Sequence, residues 1–146
     1  MKLKAHILQG VALSPIAYYL TDMKSAFIFL LSFIFIDIDH YFVYVYKFRI
    51  LSAKGMFKYF DEYIENRTED MCDLCVFHTV EVFLTLFILG YWRMELWVVC
   101  SGFLIHQAFD MYELLKRRAL FMRPFSFVEY FIRKNIERKG LVTDKT

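Results

Sequence analysis

The sequence predicts an all-α fold, namely an integral membrane four-helix bundle with amphipathic interfacial helices. Hydrophobic residues make up 58% of the 146 positions and aromatic residues 20%, far above the content of an ordinary soluble domain. The chain has only two Pro and five Gly, so it lacks the turn residues that separate the strands of a β protein. Its length predicts one domain.

Four apolar blocks are long enough, or nearly so, to cross a bilayer, for which about 20 apolar residues are needed. We expect the spans at about 5–20, 25–46, 74–92 and 94–115, within a transmembrane domain over residues 1–120. A backbone in lipid has to form its hydrogen bonds internally, as helices and closed barrels do. Four long blocks therefore predict four membrane-spanning helices.

Two further segments have the pattern of amphipathic helices. Between the second and third blocks, at about 52–66, Met56, Phe60 and Ile64 recur every four residues and share one helical face. The C-terminal tail, residues 121–146, places apolar residues opposite basic ones. Both segments suit helices at the membrane surface near anionic headgroups, with a soluble tail packed on the bundle as the alternative for the second.

The Lys and Arg residues predict the orientation of the spans. Sixteen of the 18 lie before the first block, between the second and third, or after the fourth, whereas Lys24 and Arg93 are alone in the other two connections. Cytoplasmic loops carry the excess of Lys and Arg. We therefore expect a multi-pass protein of the cell inner (cytoplasmic) membrane with both termini in the cytoplasm.

Polar residues interrupt all four apolar blocks, although ionisable side chains are costly in hydrocarbon and are rarely kept there without a function. In the predicted topology they all fall within roughly 5–15 Å of the cytoplasmic boundary, at a rise of about 1.5 Å per residue. Eight of them are candidate metal ligands: His6, Asp37, Asp39, His40, His78, Glu81, His106 and Asp110.

The spacing within each block supports a shared site, because residues three or four apart lie on one face of a helix. The pairs are His6 with Gln9, Asp37 with His40, His78 with Glu81, and His106 with Asp110. Asp39 lies about 160° from Asp37 around a regular helix. Three possibilities therefore stay open for Asp39. It contacts a metal ligand without binding the metal itself, it reaches an adjacent helix, or it lies where the second helix unwinds.

Charge balance favours metal ions at this layer. Asp37, Asp39, Glu81 and Asp110 would bring four carboxylates together, and no Lys or Arg lies in their helical segments. Either several carboxylates are protonated or divalent cations balance them. Mixed imidazole and carboxylate ligation fits zinc, with manganese and iron as alternatives, better than calcium. We expect one or two divalent ions, with Glu81 or Asp39 as general base if not a ligand.

Two simpler interpretations stay open. A lone histidine in a membrane helix is commonly a buried hydrogen-bonded group rather than a ligand, and this applies above all to His6, which pairs only with Gln9. Cys72 and Cys75 form a C-x-x-C pair, which is either an ordinary reduced pair at a helix entrance or a zinc or redox site.

Four short motifs occur in the order Ala5–Gly10, Asp37–His40, Phe77–Glu81 and His106–Asp110. In this order, and in apolar blocks, they resemble the YdjM-like family of membrane-bound metal-dependent hydrolases. The resemblance covers roughly residues 5–112. It departs from the family at Val76-Phe77, where basic and glycine residues are usual, and at Glu81, which is typical of only some relatives.

The resemblance implies a metal-dependent hydrolase, and the depth of the polar layer suits a lipid substrate. We expect cleavage of a lipid phosphoester or ester at the cytoplasmic leaflet, by water that the metal deprotonates. The alternatives are a non-enzymatic metal-binding or ion-conducting membrane protein and a structural subunit. The sequence has no H-E-x-x-H and no G-x-S-x-G motif, and its net charge of +2 gives no reason to expect a nucleic-acid partner.

Overall fold

The computed structural model describes residues 3–66, 73–120 and 123–143, and within these ranges the protein is all-α without strands. Seven α-helices and one 3₁₀ turn follow one another along the chain. They are α1 (Leu3–Leu20), α2 (Met23–Phe35), α3 (Ile38–Phe48), α4 (Ala53–Asn66), the 3₁₀ turn (Val76–His78), α5 (Val80–Leu89), α6 (Met94–Lys116) and α7 (Phe127–Thr143). The predicted fold class is therefore confirmed at the level of secondary structure.

One stretch among the described helices is long and apolar enough to cross a membrane, by the criteria of length and composition. It is Met23–Phe48, which comprises α2 and α3. Helix α5 is apolar but has only 10 residues. Length and composition thus support one spanning segment, where the sequence predicted four.

Helices α1 and α2 form a hairpin around a short turn at Asp22. The Asp22 side chain caps α2 by accepting hydrogen bonds from the Ser25 backbone N–H at 2.9 Å and from the Ser25 hydroxyl at 3.0 Å. These bonds lower the pKa of the Asp22 carboxyl, because they favour its charged form. The cap starts α2 immediately after α1, and the two helices pack against each other.

Helix α2 lies at the centre of the bundle, where it packs against both α1 and α6, and α5 packs on α6. Its inward face carries Phe29 and Phe33, which are buried. Gly102 on α6 allows a close approach, since a Cβ there would lie 2.2 Å from Ser32 Oγ and 3.0 Å from the Phe29 carbonyl oxygen. A side chain at this position would therefore separate α6 from α2.

The two predicted amphipathic segments form helices. Residues 52–66 were expected, and α4 spans Ala53–Asn66, where Met56 is buried and Asp61 pairs with Arg117 at 2.9 Å. The tail forms α7, whose apolar side chains Val128 and Phe131 are exposed. The expected location of both helices at a membrane surface stays a prediction.

Candidate metal centre

The second predicted span is interrupted where the polar residues begin. Helix α2 ends at Phe35 and α3 begins at Ile38, so Asp37 lies at the junction. The junction brings Asp37 and Asp39 to the same imidazole: Asp37 Oδ1 is 3.6 Å from His78 Nε2, and Asp39 Oδ2 is 3.1 Å from His78 Nδ1. A regular helix would hold these carboxylates about 160° apart. The local break therefore explains how both reach one site.

Four side chains from three parts of the chain converge in the interior. They are Asp37 from the α2–α3 junction, His78 from the 3₁₀ turn, and His106 and Asp110 from α6, and one ligand atom of each lies within 4.8 Å of all the others. His106 Nε2 is 3.4 Å from Asp37 Oδ1, and His78 Nε2 is 3.7 Å from Asp110 Oδ2. We call these four residues the metal centre.

The separations in the metal centre fit ligands of one ion rather than hydrogen bonds. Protein hydrogen bonds from nitrogen to oxygen are about 2.7–3.2 Å long, shorter than these contacts. Ligands at about 2.1 Å from a tetrahedral zinc ion are about 3.4 Å from one another. The Nε2 atoms of His78 and His106 are buried and have no hydrogen-bond partner among the described residues. The donor set therefore fits a divalent metal ion.

The other ring nitrogen of each histidine is fixed by a partner. His106 Nδ1 lies 2.7 Å from the Phe33 carbonyl oxygen, and because a carbonyl only accepts, Nδ1 carries the proton. Asp39 accepts in the same way from His78 Nδ1. Both imidazoles thus turn the Nε2 lone pair toward Asp37 and Asp110, as metal-binding histidines with a second partner do.

His6 contacts the second oxygen of each of the two carboxylates. Its Nε2 is 3.5 Å from Asp110 Oδ1 and 3.9 Å from Asp37 Oδ2, whereas His78 and His106 face the other oxygen of each carboxylate. The His6 ring stacks on that of His106 with centroids 4.1 Å apart, and its side chain is buried. The structure therefore brings the predicted ligand of α1 into contact with the centre, at its edge.

Asp39 and His40 form a second group with Cys75. Asp39 Oδ1 is 3.0 Å from His40 Nδ1, and Asp39 Oδ2 also accepts the backbone N–H of Phe77 at 2.8 Å. The His40 ring lies beside that of His78, with centroids 4.6 Å apart. His40 is thus adjacent to the metal centre without belonging to it. Cys75 is buried as a free thiol, while Cys72 lies outside the described residues.

Glu81 is not brought to the metal centre. Its Oε1 accepts hydrogen bonds from the Ser126 hydroxyl at 2.7 Å and from the Phe127 backbone N–H at 2.9 Å, so it holds the first turn of α7. Thr79 has extended backbone angles between the 3₁₀ turn and α5, which rotates Glu81 away from His78. The role of Glu81 or Asp39 as general base stays a prediction.

Arg123 belongs to the surroundings of the centre, although the sequence did not indicate it. Its Nη1 is 3.3 Å from Asp110 Oδ2, and its Nη2 is 3.2 Å from Gln107 Oε1. It lies between α6 and α7, where no helical spacing connects it to Asp110. A periodic pattern within one helix could not have found it.

Arg123 also changes the charge expected at the site. Three carboxylates, those of Asp37, Asp39 and Asp110, meet one guanidinium, and Glu81 is elsewhere. The formal charge of this set is −2, which one divalent cation balances. The sequence had predicted four carboxylates and no cationic side chain, a charge that two ions would balance.

No family model, curated protein or solved structure matches this chain. The resemblance of its four motifs to the YdjM-like hydrolases therefore stays a prediction. What the centre can do follows from its own residues, namely the imidazoles of His78 and His106 and the carboxylates of Asp37 and Asp110. His6, Asp39 and Arg123 contact these four residues.

Proposed function

We propose that this protein is a membrane-embedded metal-dependent hydrolase that cleaves a lipid phosphoester or ester at the cytoplasmic leaflet. One observation carries the proposal. The buried Nε2 atoms of His78 and His106 have no hydrogen-bond partner among the described residues and face Asp37 and Asp110 at distances too long for hydrogen bonds. Such an arrangement is costly unless a cation occupies it.

In this proposal Asp37, His78, His106 and Asp110 hold one divalent ion, with zinc as the first choice and manganese or iron as alternatives. A bound ion of this kind polarises an ester oxygen and acidifies water at neutral pH. Catalytic zinc sites keep one position for water or substrate, so hydrolysis would require that the four side chains leave such a position open to the ester. Asp39 orients His78, and the Phe33 carbonyl orients His106.

The reaction adds one water across the ester. The water oxygen bonds to phosphorus or to the carbonyl carbon, and the bond from that atom to the alcohol oxygen breaks. One water proton passes to the released alcohol, and the other stays with the acid or goes to solvent. The carboxylates of the centre are proton acceptors within the site. The residues of the centre are mostly buried, which limits the access of bulk water.

The exposed surface supports a membrane environment for the bundle. Soluble monomers rarely expose contiguous apolar patches larger than a few hundred Å². Large hydrophobic side chains are exposed on helices in each of the four predicted spans. They include Leu8 and Ile16 on α1, Phe27 and Phe35 on α2, Leu84 and Phe87 on α5, and Leu104 on α6. Contact with lipid is favourable for these apolar side chains, whereas contact with water is not.

The irregular backbone before α5 is also compatible with a membrane. Non-helical backbone at membrane depth requires that its polar groups be satisfied within the protein. The Phe77 N–H donates to Asp39, and the Val80 N–H donates to the Phe125 carbonyl at 2.8 Å. Thr79 is fully buried between them. The turn that carries His78 therefore has internal partners for these two donors.

An apolar groove supports a lipid as the substrate. It has a volume of about 590 Å³ and is lined by Gln9 of α1 and by Leu104, Ile105, Phe109 and Tyr112 of α6, among others. Gln9 lies one helical turn after His6, and Phe109 precedes Asp110, so the groove lies on the two helices that carry His6 and Asp110. We assign it to an acyl chain of the substrate, because its walls are almost wholly apolar.

The metal content of detergent-purified protein tests the proposal. We expect stoichiometric metal in the wild type and loss of it in Asp37→Ala and His106→Ala. Asp61→Ala is the matched control, because Asp61 pairs with Arg117 and should not affect the metal. Metal retained in both site variants would contradict the proposal. Release of phosphate or headgroup from a lipid panel then separates a hydrolase from a non-enzymatic metal-binding protein, which would show metal without turnover.

A further inference from the structure

Arg123 has N–H donors without a hydrogen-bond partner in the part of the chain that the structure describes. Its side chain is 14% exposed, and its Nη1 and Nη2 contact Asp110 and Gln107. A guanidinium has five N–H donors, so three are left. One of them is the Nε–H, which is buried and has no hydrogen-bond partner among the described residues. A buried unpaired donor on a charged group is costly, which indicates a ligand at this position.

Neutralising the charge of Asp110 does not explain why Arg123 makes two side-chain contacts. A single contact with Asp110 would satisfy that carboxylate, yet Gln107 holds a second nitrogen and thereby fixes the plane of the guanidinium. A planar fork with fixed orientation suits the oxygens of a phosphate, which it binds through two parallel hydrogen bonds. The donors left over are thus oriented in advance and lie beside a ligand of the proposed metal.

We infer that Arg123 binds the phosphoryl group of the substrate beside the metal centre, so that the substrate is a phosphoester and not an uncharged carboxylic ester. The inference rests on the proposed function, since it places the phosphoryl group between Arg123 and a metal held by Asp110. A phosphoryl group has anionic oxygens for both partners. A carboxylic ester carries no charge and would offer the guanidinium only weak acceptors.

Phosphate binding by the full-length, zinc-loaded protein in detergent tests the inference. The probes in calorimetric titration are inorganic phosphate and dioctanoyl phosphatidic acid, with dioctanoylglycerol as the uncharged comparison. The variants are Arg123→Met and Arg123→Lys, and Arg117→Met is the matched control because Arg117 pairs with Asp61. Metal content is measured on every sample, so that loss of the centre is seen directly.

We expect Arg123→Met to keep its metal and to bind inorganic phosphate about tenfold to a hundredfold more weakly, as expected for the loss of hydrogen bonds to a charged group. Arg123→Lys should lose less, and Arg117→Met should match the wild type. Phosphatidic acid should follow the same order with higher affinity if the lipid is the source of the phosphoryl group. Equal affinity for free phosphate and phosphatidic acid would overturn the assignment to a substrate phosphoester, because Arg123 would then be a site for free phosphate.

Unchanged phosphate affinity in metal-loaded Arg123→Met overturns the inference. Loss of metal in both Arg123 variants also overturns it, because Arg123 would then only support Asp110. If Arg123→Met alone loses metal, the affinity of Arg123→Lys decides: a weaker value supports the inference and an equal one overturns it. A wild type without metal contradicts the proposed function and this inference together, whereas metal and phosphate binding without turnover contradicts only the proposed hydrolysis.

Discussion

Asp39 Oδ2 lies 3.1 Å from His78 Nδ1, and this contact decides which nitrogen of His78 faces the metal centre. A carboxylate at Nδ1 keeps the proton there, so the Nε2 lone pair turns toward Asp37 and Asp110. Asp39 is in turn fixed by the Phe77 N–H and by His40. It therefore acts on the centre through His78, from the side opposite the four converging ligand atoms.

This relationship predicts a partial defect for Asp39→Asn. An amide can donate to His78 Nδ1 and so favour the wrong tautomer, but it leaves all four residues of the metal centre in place. We expect zinc affinity to fall about tenfold to a hundredfold, as for other outer partners of metal-binding histidines. Competition with a chromophoric chelator measures the affinity. Asp61→Asn serves as the control, and an Asp39→Asn protein with wild-type affinity would show that Asp39 does not orient His78.

His6 should matter less for metal retention than His106. Its Nε2 faces Asp37 Oδ2 and Asp110 Oδ1, whereas His78 and His106 contact the other oxygen of each carboxylate. Removing it leaves the four residues of the metal centre intact. We expect His6→Ala to retain metal at reduced affinity while His106→Ala loses it, as measured by elemental analysis of purified protein. Complete loss in His6→Ala would mean that all three imidazoles bind the same ion.

Local patterns in the sequence were sufficient for the outlines of the helices. Spans at about 5–20 and 94–115 were predicted, and α1 covers Leu3–Leu20 and α6 covers Met94–Lys116. The charged residues that flank each apolar run mark its ends, and the regular recurrence of apolar residues marks its interior. The convergence of His106 and Asp110 followed from the same regularity, because both lie on one uninterrupted helix.

The parts that local patterns missed depend on irregular backbone. His78 and Glu81 would share a face of a regular helix, but the extended backbone of Thr79 separates their directions. Asp39 reaches His78 because the second span breaks at the α2–α3 junction, which neither Pro nor Gly marks in the sequence. Arg123 lies in the connection between α6 and α7, where the chain turns back and brings its side chain to Asp110. Such contacts are set by tertiary packing, which periodicity does not encode.

The close approach of α2 and α6 predicts that Gly102→Ala is destabilising. The new Cβ would lie 2.2 Å from Ser32 Oγ and 3.0 Å from the Phe29 carbonyl oxygen, so the helices would have to separate. Overpacking of this kind costs about 1–3 kcal/mol of unfolding free energy. Thermal unfolding in detergent measures the effect. Gly10→Ala is the control, since its Cβ meets only side-chain carbons, and an equal effect of both would contradict the prediction.

The displacement of α2 should also lower the affinity of the centre for metal. His106 Nδ1 donates to the Phe33 carbonyl, one turn along α2 from Phe29. A shift of α2 in Gly102→Ala would weaken this bond and free the His106 ring to rotate. We expect lower zinc affinity in Gly102→Ala than in the wild type, by the same chelator competition. Wild-type zinc affinity in a clearly destabilised Gly102→Ala would show that the Phe33 contact does not position His106.

The proposed membrane topology predicts opposite accessibility of the two ends of the bundle. Lys24, in the first turn of α2, and Lys116, at the end of α6, are both exposed in the structure. The four-span topology predicted from the sequence places them on opposite sides of the membrane. In a variant with all three cysteines replaced by Ala, we expect Lys24→Cys to react with a membrane-impermeant maleimide in bacterial cells with a permeabilised outer membrane. Lys116→Cys should react only after the inner membrane is opened. Both should react in detergent. Protection of Lys24→Cys until the inner membrane is opened would contradict the four-span topology, because a protein confined to the cytoplasmic side exposes neither position.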